Sequence, residues 1–226
     1  MNYACRLTGL LVLALPGFAG EVQGHAIISK RLAKRTLYPV VYNLRGVTAR
    51  AGSTSEPASS SEFDRLAIVL EGGNQAPRAP ETVVIDQRDI RFDPDLVIVP
   101  VGSIVQFPNS DPIFHNIFSL SKAQPFDLGF YPQHQSRTVK FTRAGIVQVY
   151  CHIHANMYAA IVVTPSPWYA KPASDGSFAW SGVPAGYYRV VAWHKVAGFF
   201  RTEIDVPEDG KVETTIRIPI DAEPER

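Results

Sequence analysis

A thiol, an imidazole and a thioether share one short stretch of this chain, Tyr150-Cys151-His152-Ile153-His154-Ala155-Asn156-Met157, at the spacing Cys-x2-His-x2-Met. Thiolate and thioether sulfur suit Cu(I), and imidazole nitrogen suits both Cu(I) and Cu(II). A trigonal His2Cys plane with a weak axial Met therefore accommodates an ion that alternates between the two. Two residues between Cys151 and His154 let a tight loop aim both side chains at one point, and two more bring Met157 beneath the plane. One loop does not surround an ion, so the second imidazole must come from elsewhere. Asp111-Pro-Ile-Phe-His115-Asn116 supplies it, far enough upstream for an intervening hairpin to bring His115 alongside.

Composition sharpens the pattern. The chain has two Cys and two Met, and Met1 and Cys5 fall in its first residues, leaving Cys151 and Met157 for the body of the protein. The structural alternative makes Cys151 a small buried hydrophobe and Met157 a core gap-filler. That account leaves the whole motif to coincidence.

Strands must position these groups. Phe141 to Tyr150 alternates apolar and polar residues and reads as a strand feeding the loop, and Ala160 to Thr164 reads as the strand leaving it. Further strands are expected over Thr82–Asp86, Arg91–Val99, Ile104–Pro108 and Thr138–Phe141, whereas Pro125 to Gln135 reads as a loop at one side of the site.

Residues 79–164 resemble a cupredoxin with an amicyanin/plastocyanin-like ligand loop. Val101-Gly-Ser-Ile-Val-Gln-Phe107-Pro-Asn, His115-Asn116 and Ala144-Gly145 through Val163 carry the likeness. The resemblance implies a Greek-key β-sandwich binding one type 1 copper, with His115, Cys151 and His154 as equatorial ligands and Met157 as the axial one. It also implies that Asn116 ties the two ligand loops together near the Cys sulfur. Ala155 stands where a Pro is common, and Ala159 where a Gly often follows the Met. Both change loop stiffness, and so bear on axial distance and redox potential more than on ligation.

The first 20 residues, with one Arg, an apolar run from Leu7 to Pro16 and small residues at Gly17, Ala19 and Gly20, read as a secretory signal peptide cleaved near Ala19 or Gly20. The run is short for a bilayer span, and no later stretch approaches the ~20 apolar residues a transmembrane helix needs. An exported, most simply periplasmic, protein is expected. A single remaining Cys permits no internal disulfide in an oxidising compartment, so metal ligation is a reason for it to persist. A net charge of +1 points neither to nucleic acid nor to an anionic membrane surface. Basic residues gather early and acidic ones late, which partner docking could use, although a solvated surface is the simpler account.

From Ser166 the texture changes. Asp175-Gly176-Ser-Phe178 and Gly182-Val-Pro-Ala-Gly186-Tyr resemble the transthyretin-like or carboxypeptidase-regulatory-like β-sandwich. The opening Val22-Gln-Gly24-His-Ala-Ile and Pro39-Val-Val-Tyr-Asn-Leu44 fit its first strands. The expected architecture is all-β and discontinuous: a leader over 1–20, sandwich strands over 21–78, the cupredoxin unit over 79–164 and the remaining sandwich strands over 165–226. Two separate small units flanking the cupredoxin are the alternative. Trp168, Trp180 and Trp193 are expected in core or domain contacts, and His25, His134 and His152 in solvent.

Three functions compete. The first is a periplasmic carrier of single electrons, with a redox protein as donor and another as acceptor. Secreted proteins of similar make-up carry plastocyanin-like or methylamine-utilisation labels, which imply a periplasmic dehydrogenase or cytochrome as partner. The second is a copper chaperone or sensor without electron traffic. In the third, the β-sandwich does the binding and the copper site is relict. Zinc can occupy a His2Cys set, leaving Met157 idle. No catalytic constellation is evident: Cys151 has no His oriented by an acid for hydrolysis.

Overall fold

The computed structural model describes residues 19–29, 61–208 and 210–218. Residues 1–18 of the expected leader, and the expected strand that holds Pro39–Leu44, lie outside these residues. Among the described residues seventeen strands follow one another: β1 Ala19–Ile28, β2 Leu66–Glu71, β3 Thr82–Val84, β4 Asp86–Arg88, β5 Arg91–Asp93, β6 Leu96–Pro100, β7 Ile104–Pro108, β8 His115–Ser119, β9 Phe126–Tyr131, β10 Ser136–Lys140, β11 Gly145–Tyr150, β12 Tyr158–Thr164, β13 Tyr169–Ala170, β14 Ser177–Pro184, β15 Gly186–His194, β16 Gly198–Val206 and β17 Lys211–Ile218. One short 3-10 turn, Glu62–Arg65, precedes β2. The all-β expectation holds. β9 corrects the loop expected at Pro125–Gln135: Phe126 and Leu128 pack partly against the core, while Pro125, Gly129 and Pro132 mask the alternation.

The middle of the chain builds a five-stranded sheet in the order β6-β12-β11-β8-β9 and a three-stranded sheet in the order β10-β7-β3. Their facing side chains, among them Val105, Phe107, Ile117, Phe141, Val147, Val149 and Ile161, form one buried core. Strands from the two ends of the chain share two other sheets. β1 lies between β14, antiparallel, and β17, parallel. β2 lies between β13 and β15, with β16 outside β15. Between those sheets sit Val22, Leu66, Ile68, Leu70, Trp168, Phe178, Trp180, Val190 and Ile216. Gly24 in β1 faces Phe178 across the ladder. A Cβ at that position would come within 2.1 Å of the ring, so only glycine lets the aromatic cross β1.

β2 and β12 lack the alternation of a half-exposed strand, because each is covered on both faces. In β2, Leu66, Ile68 and Leu70 point into the end-strand core, while Ala67 and Val69 join a third cluster with Trp193. In β12, Ala159, Ile161 and Val163 point into the central core, and Ala160 and Val162 join that same third cluster. The two units therefore meet sheet on sheet, with Trp193 in the seam. β1 begins at Ala19, with Ala19 paired to Pro184 and Gly20 to Val183, so the proposed cleavage point falls at the start of a paired strand.

Candidate metal centre

β8 and β11 are neighbours in the five-stranded sheet, joined through Tyr150 and Phe118. His115 opens β8, and Cys151 directly follows β11. Strand pairing thus brings a histidine and a thiol from distant parts of the sequence to the same end of one sheet. The loop after Cys151 turns back on itself, the Met157 amide donating to the His154 carbonyl at 3.0 Å, and delivers the chain into β12. His115 is fully buried, Cys151 and Met157 are buried and His154 is half-buried.

The donor atoms converge. His115 Nδ1 lies 3.0 Å from His154 Nδ1 and 3.9 Å from Cys151 Sγ, and His154 Nδ1 lies 3.6 Å from the same sulfur. With bonds of about 2.0 Å to nitrogen and about 2.3 Å to sulfur, a trigonal plane sets its donors roughly 3.5–3.7 Å apart. The observed triangle is close to that size, and its donor set of two imidazoles and a thiol fits a thiophilic transition metal. Among the described residues this is the only group of His, Cys, Asp and Glu arranged to hold a metal ion. Met157 packs in the same buried cluster as Cys151, at the foot of the loop.

A carboxylate backs the buried imidazole: Asp111 Oδ2 lies 2.8 Å from His115 Nε2. Burial pushes the Asp111 pKa up, but hydrogen bonds from the Ile90 amide, His115 and the Asp89 amide outweigh it, and the carboxyl sits below its ordinary value. Burial, followed by the neighbouring His115, pushes His154 below the usual imidazole range. Both effects favour an ionised Asp111 and a neutral His154, the forms suited to metal ligation.

Asn116, expected to tie the ligand loops together, instead donates from Nδ2 to Asp127 Oδ1 of β9 at 2.7 Å, and its buried Oδ1 has no partner. Asp127 Oδ2 in turn lies 3.6 Å from His152 Nε2. The residues that follow His115 and Cys151 are thus linked through one acid on the neighbouring strand. His152 is half-exposed and lies flat on Phe118, with ring centroids 3.8 Å apart and planes 5° from parallel. His25 and His134 are exposed, whereas His194 is buried in the end-strand unit. Tyr150 and Tyr158 stack at 5.2 Å beside the ligand loop. The sequence offered no acid to orient a histidine beside Cys151, and the structure corrects this, because Asp111 holds His115 there; nor was a role assigned to Asp127. An acid four residues before a candidate ligand was the available signal for the first, and the unrecognised β9 hid the second.

The sheets and the donor triangle together define an all-β protein with a metal-type His–Cys–His cluster at a sheet end. No family model and no curated protein matches the chain. Among solved structures, a reduced Cu(I) form of an amicyanin variant is similar over 37% of this chain and 82% of that one, with 22% identity and a TM-score of 0.35. A purple cupredoxin from Nitrosopumilus maritimus is similar over 36% of this chain and 99% of that one, with 21% identity and a TM-score of 0.34. A copper-containing nitrite reductase from Thermus scotoductus is similar over 42% of this chain but only 24% of its own, with 23% identity and a TM-score of 0.35.

Proposed function

We propose that this chain is an exported, single-copper protein of cupredoxin type that carries one electron at a time between a donor and an acceptor protein. The observation that supports the reading is the convergence of His115 Nδ1, Cys151 Sγ and His154 Nδ1, all within 4.8 Å of one another, at the mouth of a rigid sheet. Copper bound there supplies a one-electron couple. The protein's part is to hold its ligands still: His115 and Cys151 are fixed by strand pairing, and Met157, buried beside Cys151, would supply a further, weaker donor. The stacked Tyr150 and Tyr158 limit water beside the loop, which keeps rearrangement between oxidation states small.

Export rests on the pattern of residues 1–20; no helix among the described residues is long and apolar enough to cross a membrane. The division into a cupredoxin unit over 79–164 and a transthyretin-like sandwich from the flanking segments belongs to the same reading, supported by the pairing of β1 with β14 and β17 and of β2 with β15. In this arrangement the sandwich is a rigid platform for the copper unit.

Addition of Cu(II) to the copper-free protein, followed by visible and EPR spectroscopy and voltammetry, tests the proposal. It requires an intense thiolate-to-copper charge-transfer band, a reversible couple, and loss of the band in Cys151→Ser. Stable copper binding without a reversible couple would move the assignment to a chaperone or sensor. Preference for zinc, with no band, would remove it altogether.

A further inference from the structure

Asp111 is a nearly buried charge whose side chain is 9% exposed. Its carboxylate is gripped on two sides. Oδ1 accepts the Asp89 amide at 2.7 Å, and Oδ2 accepts both the Ile90 amide at 2.9 Å and the His115 ring at 2.8 Å. Its own amide donates to Asn109 Oδ1 at 3.0 Å, and Asn109 Nδ2 donates to the carbonyls of Ile113 and Tyr131. Asp89 and Ile90 form the turn between β4 and β5, and both lie in the left-handed region, with φ of 54° and 55°. A β-branched residue is strained there and persists only where its surroundings over-determine it. The paired amides aimed at Asp111 supply that constraint.

An ionised carboxylate only accepts hydrogen bonds, so the proton between Asp111 and His115 belongs to Nε2. The His115 Nδ1 lone pair then faces Cys151 Sγ and His154 Nδ1. We propose that Asp111 is a positioning residue: braced on the β4–β5 turn, it locks His115 into the ring orientation and the Nε2–H tautomer that metal binding through Nδ1 requires. Its value for copper rests on the function proposed above, whereas the tautomer is a property of the copper-free chain. Such outer carboxylates orient a ligating imidazole and raise its basicity, and their loss typically costs roughly ten- to a hundredfold in metal affinity.

The test uses the full copper-free chain with 15N-labelled histidine at about pH 8, where ordinary imidazoles are neutral. Two-bond 1H–15N correlation spectra read the tautomer of each ring. Wild type should show His115 as Nε2–H. Asp111→Asn, whose carboxamide can donate as well as accept, should show a mixture of tautomers. Its Cu(II) affinity by chelator competition should fall roughly ten- to a hundredfold. An Nδ1–H tautomer in wild type overturns the proposal, and that measurement needs no variant to fold. A folded Asp111→Asn with unaltered tautomer and affinity overturns it too, leaving Asp111 a merely structural acid. Failure of wild type to take up copper would sink the copper function alone, because the tautomer is read without metal.

Discussion

Lys195 Nζ, on the turn after β15, meets Asp95 Oδ2, just before β6, at 2.5 Å, so one ion pair spans the seam between the two units. The partners are unequally placed: the Lys195 side chain is 7% exposed and that of Asp95 46%. Burial pushes the ammonium pKa down, and Asp95 pulls it back up. Lys195 also donates to the Tyr158 carbonyl at 3.1 Å and lies over the Tyr158 ring. Removing each partner should therefore have different consequences. Asp95→Leu strands a desolvated ammonium and is expected to cost about 3 kcal/mol. Lys195→Met leaves only a carboxylate that water can reach, and is expected to stay within about 1 kcal/mol of wild type. Urea unfolding of both variants decides the matter, and equal losses would show the pair to be solvated at both ends.

The approach of Cys151 and His154 was legible because the two are near neighbours in sequence, in a loop turned back by the Met157–His154 backbone bond. His115 was legible only as a partner demanded by chemistry; the pairing of β8 with β11 is what brings it to the sulfur. Asp111 stands four residues before His115, but its role was not legible from that spacing alone, because it depends on a turn made by Asp89 and Ile90, outside the motif. β9 escaped because its prolines and glycine look like loop, although its backbone completes the edge of the sheet beside His115. The continuous apolar runs of β2 and β12 did announce strands. What they could not reveal is why both faces are apolar, since the second covering layer comes from the far ends of the chain.

Acid should weaken the fold through His194. That ring is fully buried, and its Nδ1 accepts the amides of Val196 and Ala197 at 3.2 Å each. Burial pushes its pKa below the ordinary 6.5, with Glu62 at 3.4 Å opposing the shift. The unfolded chain takes up a proton near 6.5 that the folded chain refuses until lower pH. Stability is therefore full above that value, declines as pH falls towards the folded pKa, and levels off below it. In the copper-free protein His154 shifts in the same direction. Urea midpoints measured from about pH 8 to about pH 5 should show the decline, on either side of the ordinary histidine pKa. His194→Asn, whose Oδ1 retains an acceptor for the amides, should flatten it. Identical slopes in the two proteins would remove His194 from the linkage.

Met157 separates a ligand from a packing residue. Its side chain is buried in the core cluster that holds Cys151, so Met157→Leu preserves volume and apolarity and should cost less than about 1.5 kcal/mol. If the thioether is the weak axial donor, its removal withdraws electron density that stabilises Cu(II) more than Cu(I). The charge-transfer band then survives, because His115, Cys151 and His154 are untouched, but the reduction potential rises. A Met157 that serves only to fill space predicts the opposite: a small loss of stability and an unchanged potential. Voltammetry of wild type and Met157→Leu, run beside their urea unfolding curves, distinguishes the two, since only an axial donor moves the potential while leaving the fold nearly intact.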